Sequence, residues 1–116
     1  MLAIRDTTAC VTLATAAGEA RNPWTRFRGL MFRRRLVNGH GLVIQPCGSI
    51  HMMFMLFSID AVFFDRDLKV TRVARNVRPW IGLAFGGRGA HGVIELPAGA
   101  APGTLPGHQI EFTQCN

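Results

Sequence analysis

The chain has few charges, few cysteines and no long apolar run, and each shortage excludes a class of protein. Only 17% of its 116 residues are charged, against roughly 25% in an average chain. Its three cysteines show no CxxC spacing and allow at most one bridge, so we expect reduced thiols. No window approaches the ~20 apolar residues of a spanning helix. The first residues also lack the basic-then-apolar order of a signal peptide. The sequence therefore predicts a cytoplasmic protein with no membrane span.

What the chain does have is enough apolar sequence for one core. A length of 116 residues suits one domain, and 48% of the residues are hydrophobic, including eight Phe. A chain of this length can bury a core without disulfides or a metal. It contains no internal repeat, low-complexity tract or linker. We therefore expect a single domain over residues 1–116.

The charge balance is basic. Thirteen Lys and Arg against seven Asp and Glu give a net charge of +6, which predicts attraction to an anion such as nucleic acid, anionic lipid or an acidic protein. Five arginines cluster between Arg26 and Arg35, and guanidinium groups bind phosphate well. Nucleic-acid binding usually adds exposed aromatic side chains, whereas the nearby Trp24 and Phe27 fit a core. A solvated basic face is favoured over nucleic-acid binding.

Local signals predict one helix. Asn22 is a good N-cap and Pro23 suits the first helical position. Apolar residues then recur at helical spacing as far as Met31. The sequence predicts a helix from Pro23 to about Phe32.

The rest of the chain reads as strands separated by Gly- and Pro-rich turns. Strands are predicted at 9–15, 41–45, 52–57, 60–65, 69–75, 92–96 and 108–113. The fold class that follows is α+β, mostly β: a compact, barrel-like antiparallel or mixed sheet with one main helix at about 23–32.

Four residues form a candidate binding rim. Glu95 lies inside an apolar strand, where a carboxylate needs a partner, and Arg28 is the candidate. Their pairing would be a buried salt bridge that pins the helix to the sheet, or a pair that faces a ligand. His51 opens an apolar run, where a strand start would leave it at the rim. Asp60, the fourth residue, is flanked by apolar strand residues.

The remaining sequence patterns are weaker indications of a functional site. Residues 87–92 match GxGxxG, but a strand follows where a dinucleotide site needs a helix. None of the four histidines pairs at metal-ligand spacing, and Cys47 and His51 are the nearest Cys/His couple. The sequence predicts neither a metal nor a cofactor.

Four segments in order resemble the DUF192 family, an uncharacterised bacterial and archaeal domain. They are Arg28-Gly-Leu-Met31, Ile59-Asp-Ala-Val-Phe-Phe-Asp65, Val93-Ile-Glu-Leu-Pro-Ala-Gly99 and Gly107. The resemblance implies a compact β-rich single domain and no established reaction, cofactor or substrate. Many members have a Trp-Met-Lys-Asn-like stretch where this chain has Phe54-Met-Leu-Phe-Ser58, without the Lys and Asn. Many relatives also look exported, and this chain shows no leader.

Three functions remain open. The first is a binding or accessory module for a small ligand or a peptide segment, with Arg28, His51, Asp60 and Glu95 near one rim. The second is a hydrolase that uses His51 with Asp60 or Glu95 as acid/base groups. The third is a basic accessory subunit that docks on an acidic partner. The sequence does not choose an oligomeric state.

Overall fold

The computed structural model describes residues 1–22, 26 and 29–115, and these residues contain nine β-strands. They are β1 Leu2–Asp6, β2 Val11–Ala20, β3 His40–Ile44, β4 Ser49–His51, β5 Ile59–Phe64, β6 Val70–Val77, β7 Leu83–Phe85, β8 Gly92–Pro97 and β9 Ile110–Gln114.

Seven of the strands form one mixed sheet in the order β6-β5-β8-β3-β2-β1-β9. The β2–β3 pair is parallel and the other neighbours are antiparallel. The two edges approach each other: Val70 N–H donates to His108 O at 2.9 Å, and Ile110 N–H donates to Leu68 O at 2.8 Å. The sheet therefore curls into a half-barrel whose edge strands meet at one end.

The central strands β5 and β8 are buried at all six positions each. In β5, Val62 and Phe64 belong to an inner cluster inside the curl, and Ala61 and Phe63 belong to an outer cluster. Side chains of a strand alternate between faces, so both faces of this part of the sheet are covered. Continuous apolar sequence in β5 and β8 follows from that two-sided burial.

A two-stranded sheet and nearby loops cover the outer face. β4 pairs antiparallel with β7, with Ile50 opposite Ala84 and His51 opposite Leu83. Ile50 and Ala84 are buried in the outer cluster, while the flanking residues of both strands are exposed. This small sheet separates the outer cluster from solvent.

The predicted main helix is wrong, and the α+β class with it, whereas the mostly-β, barrel-like mixed sheet is confirmed. Positions 23–25, 27 and 28 of the predicted helix lie outside the described residues. Residues 29–32 form turns, with φ of 49° at Gly29 and 67° at Phe32, which a right-handed helix does not permit. Leu30 and Met31 are buried in the outer cluster. These two apolar side chains therefore pack on the sheet from a turn and not from a helix.

The strand predicted at 52–57 is also wrong. This segment is a loop with a turn at residues 53–54, and φ at Phe54 is 64°. Met52 and Met55 enter the outer cluster, while Met53 and Leu56 are exposed. A short apolar run cannot by itself distinguish a buried strand from a covering loop.

Candidate functional site

A cavity of about 280 Å³ lies between the outer face of the sheet and the segments that cover it. Its apolar wall comes from Leu30, Met31, Ile44, Ile50 and Met55. Its polar lining comes from Arg26, Cys47, Ser49, His51 and Glu95. A largely apolar concavity with a few convergent polar groups is typical of a ligand site.

Glu95 is the most unusual group in this lining. Alternation along β8 puts it on the outer face with Val93, and the residue is only 4% exposed. Among the described residues its Oε1 has no hydrogen-bond partner, and a Cβ built at Gly29 would lie 3.6 Å from that oxygen. Burial raises the pKa of Glu95 to about 7, because a low-dielectric environment disfavours the charged form. Glu95 is therefore a buried acid that lacks a partner at one oxygen.

Arg26 contributes a second buried polar atom without a partner. Its Nη1 donates to Pro46 O at 3.1 Å, but its Nε, although buried, has no acceptor among the residues that the structure describes. Arg26 and Glu95 line the same cavity, and no ion pair joins them. One cavity is thus lined by a buried donor, Arg26 Nε, and a buried acceptor, Glu95 Oε1, that have no partners among the described residues.

Cys47 is a neutral thiol in this setting. Burial raises its pKa, and the charge of Glu95 raises it further, against the lowering effect of the charge of Arg26. Its Sγ donates to Ser49 O at 3.0 Å. Reactive cysteines have a depressed pKa, so the lining offers no activated thiolate.

The structure brings two of the predicted rim residues together at the cavity. His51 ends β4 and Glu95 sits in β8, and both line it. Asp60 does not line it. Its buried carboxylate accepts three backbone N–H groups, from Asn76 at 2.9 Å, Gly99 at 3.0 Å and Ala101 at 3.3 Å. Arg28 lies outside the described residues, so its pairing with Glu95 stays a prediction.

Sequence reasoning did not place Arg26 and Cys47 at the site. The four-residue spacing of Cys47 and His51 was the only signal for Cys47. The sequence predicts a solvated basic face for Arg26 together with the other arginines of this cluster. Nothing local distinguishes it from them, because its place at the cavity depends on where β3 and β8 lie.

A second buried polar cluster, away from the cavity, carries no local sequence signal. Asp6 accepts from Thr104 Oγ1 at 2.9 Å and from Ala9 N–H at 3.0 Å, and its Oδ2 lies 2.8 Å from His108 Nδ1. Burial acts to raise the pKa of Asp6, but these hydrogen bonds and the charge of His108 outweigh it, and the pKa is lowered. The cluster ties the end of β1 to the loop before β9.

Two features are absent from the described residues. Within residues 1–22, 26 and 29–115, no group of three or more His, Cys, Asp and Glu is placed to hold a metal ion. In the same part of the chain, no helix has the length and apolarity to cross a bilayer.

Comparison with solved structures supports the fold. A protein of unknown function from Novosphingobium aromaticivorans DSM 12444 superposes with a TM-score of 0.82 at 23% identity, covering 95% of this chain and 82% of that one. A protein from Sinorhizobium meliloti 1021, provisionally named a transcription regulator, superposes with a TM-score of 0.81 at 23% identity, covering 96% and 91%. At this identity the likeness concerns the fold alone.

Comparison with sequences establishes the family. A UPF0127 protein of Thermococcus sibiricus is 43% identical over 79 residues, which are 64% of this chain and 49% of the relative. The matched region thus spans about half the length of that relative. The profile of the DUF192 family, described as "Uncharacterized ACR", matches residues 4–112. On that match over nearly the whole chain, the protein belongs to the DUF192 family.

Proposed function

We propose that the protein is a binding module whose cavity takes a small ligand, or one side chain of a peptide segment, that carries an amide-like group. Hydrogen bonds to this group hold the ligand in the cavity. The observation that carries the proposal is Glu95 Oε1, which is buried beside the cavity and has no hydrogen-bond partner in the part of the chain that the structure describes. A buried polar atom without a partner is unfavourable by about 1–3 kcal/mol. A donor supplied by a ligand would remove that penalty.

The ligand class follows from the two open atoms. Glu95 Oε1 accepts and Arg26 Nε donates, so one ligand group that offers both a donor and an acceptor would satisfy both. An amide has an N–H donor and a carbonyl acceptor. The apolar wall would hold a short hydrocarbon body beside it.

The size of the cavity limits the ligand. Water takes about 30 Å³ per molecule, so 280 Å³ has room for a molecule of roughly ten non-hydrogen atoms. This lies just below the range of pockets for drug-sized molecules. The volume supports a small amide or a single side chain rather than a nucleotide or a long lipid chain.

The test is a titration of isotope-labelled protein followed by chemical-shift changes. Butanamide supplies donor and acceptor, methyl butanoate supplies only acceptors, and butan-1-ol has the hydroxyl alone. We expect butanamide to bind most tightly and to shift residues of the lining. Glu95→Met and Arg26→Met should each weaken that binding about ten-fold, since a hydrogen bond to a charged group contributes roughly 1.5–3 kcal/mol.

Arg21→Met is the matched control, because Arg21 is exposed and pairs only with the surface residue Glu19 among the described side chains. It should leave butanamide binding unchanged. Equal affinity for butanamide and methyl butanoate, or full binding by Glu95→Met, would show that the open atoms do not select the ligand.

The same titration tests the hydrolase alternative. His51 and Glu95 share the cavity, and a pKa of about 7 suits Glu95 to proton transfer near neutral pH. Hydrolysis would appear as butanoate accumulating from the amide or the ester. It should then stop in both Glu95→Gln and His51→Gln. Binding without product favours the binding module.

A further inference from the structure

Large apolar side chains lie exposed on three segments that touch one another. The apolar surface comprises Phe32, Met53, Phe54, Trp80, Ile81 and Leu83, with Ile81 78% exposed and Leu83 65% exposed. The Phe54 ring centroid lies 5.2 Å from that of Phe32 and 5.3 Å from that of Trp80. The surface is therefore continuous across loops that are distant in sequence.

The backbone holds the three aromatic residues in an unfavourable conformation. φ is 67° at Phe32, 64° at Phe54 and 67° at Trp80, in the left-handed region that bulky residues rarely occupy. Phe32 N–H donates to Phe54 O at 2.9 Å, and Trp80 N–H donates to Met52 O at 2.7 Å. Such conformations persist only where the surrounding structure enforces them, and they cluster at functional sites. The fold fixes the outward direction of these rings.

The stretches of sequence that supply this surface carry charge of one sign. Residues 20–59 and 68–94 contain no Asp or Glu and carry eleven of the thirteen Lys and Arg. Arg33, Arg34 and Arg35 follow Phe32 directly, Arg78 lies two residues before Trp80, and all four are exposed. An apolar centre with a cationic rim is complementary to an anionic surface.

The apolar centre of this surface favours a lipid over a protein partner. Residues 52–57 and 79–86 carry no hydrogen-bonding side chain except the Trp80 indole and the weakly accepting Met sulfurs. Protein interfaces contain about one hydrogen bond per 100–200 Å². A bilayer interface accepts aromatic and aliphatic side chains at the headgroup level and cations beside the phosphates.

We propose that this surface docks the protein on an anionic lipid bilayer. Trp80, Phe54 and Ile81 enter the boundary between headgroups and acyl chains, and the four exposed arginines face lipid phosphates. Ser49 and His51, which line the cavity, are paired with Phe85 and Leu83 across β4 and β7. The docking surface thus adjoins the cavity, but docking does not require that the cavity bind anything.

The experiment is sedimentation of the full chain with lipid vesicles. One set contains phosphatidylcholine alone, and the other contains equal parts of phosphatidylcholine and phosphatidylglycerol. We expect binding to the anionic vesicles, weakened by salt because exposed charges are screened beyond about 8 Å at physiological ionic strength. Brominated acyl chains should quench tryptophan fluorescence in the bound protein.

Variants assign the contact. Trp80→Asn should weaken binding roughly ten-fold or more by removing the largest inserted side chain, and Asn tolerates the left-handed φ at this position. Leu105→Asn, at an exposed leucine in the loop before β9, is the matched control.

Arg78→Gln should weaken binding about five-fold. Arg66→Gln serves as its control, because Arg66 lies in the turn at the opposite end of the β5–β6 hairpin. Unfolding curves verify that each variant is folded.

Three results would overturn the proposal. The first is no binding to anionic vesicles by the folded protein. The second is binding that Trp80→Asn and Arg78→Gln leave unchanged. The third is a vesicle-free complex, either a dimer of the chain or a complex with an acidic polypeptide, that shields Trp80 while vesicles do not bind.

Discussion

At the scale of single residues, three buried carboxylates differ in the donors that reach them. Asp60 accepts three backbone N–H groups, which hold β6 and the turn after β8. Asp6 accepts from Ala9 and Thr104 and contacts His108. Glu95 Oε1 has no hydrogen-bond partner within residues 1–22, 26 and 29–115. The first two stabilise the fold, whereas the third is the group available to a ligand.

The first prediction concerns the pH dependence of stability at Glu95. Its folded pKa of about 7 lies above the ordinary value of 4.5, so the folded state binds more protons between these values and stability falls as pH rises through them. Above pH 7 the penalty is about 3 kcal/mol. We expect Glu95→Gln to raise the free energy of unfolding by about 2–3 kcal/mol at pH 8.5 and by little at pH 5, measured by urea unfolding.

Glu111→Gln, at an exposed carboxylate in β9, is the control and should change stability little at either pH. A destabilised Glu95→Gln at pH 8.5 would contradict the prediction. It would show that a cation neutralises Glu95, which is the role the sequence gives to Arg28. A double-mutant cycle with Arg28→Met would then measure that coupling.

The second prediction concerns Asp6 and has the opposite sign. Its pKa is lowered in the folded state, so its contribution is present above the ordinary value of 3.8 and is lost as pH falls through the folded pKa. We expect Asp6→Asn to destabilise by about 1–3 kcal/mol at pH 7 and by less near pH 3. Unfolding curves at the two pH values test this, and an equal loss at both would refute a role for the charge.

At the scale of elements, left-handed backbone positions decide the paths of the covering loops. Gly29 has φ of 49° at the point where its backbone passes over Glu95. Leu30 and Met31 can then turn onto the outer cluster. Helix propensity was a weak guide here because packing against the sheet outweighs it.

The third prediction is that Gly29→Ala destabilises by about 1–2 kcal/mol. An L-residue in left-handed geometry is strained by that amount, while the added Cβ would meet its neighbours at an ordinary 3.6 Å. Thermal unfolding measures the loss. Gly48→Ala is the control, because a Cβ there meets nothing within 4 Å. Equal effects of the two changes would show that the backbone conformation at Gly29 is not the cause.

At the scale of the whole molecule, the curl of the sheet brings its two edges together and covers them. Gln109 Nε2 donates to Asp67 O at 2.9 Å and to Leu68 O at 3.2 Å, beside the backbone hydrogen bonds that link the two edges. Open sheet edges invite pairing with other chains. Gln109 therefore helps to close an edge that would otherwise be exposed.

The fourth prediction is that Gln109→Leu weakens this closure. The variant leaves backbone carbonyls without their side-chain donor, and we expect a loss of about 1–2 kcal/mol. Hydrogen exchange should accelerate at the amides of Val70 and Ile110, which bridge the edges, more than at amides of β8. Uniform acceleration across the sheet would mean that the edges do not open separately.

The sequence by itself determined the mostly-β character, most of the strands and the family, whereas the single domain over residues 1–116 stays a prediction. Continuous apolar runs mark strands where both faces are buried, as in β5 and β8. It also singled out Glu95, because a carboxylate within an apolar strand is unusual whatever the fold. Each of these signals lies within one segment of the sequence, so it can be interpreted without knowing the tertiary structure.

Only the tertiary structure decided which segments are loops and which residues share the cavity. The apolar run at 52–57 forms a loop that covers the outer face of the sheet, with some of its side chains exposed. It packs on that face and does not pair with a neighbouring strand. Asp60 was taken up by backbone donors, and Arg26 and Cys47 joined His51 and Glu95. The physical reason is that these contacts connect residues far apart in the chain, and their geometry is fixed by strand order and curl rather than by any neighbouring residue.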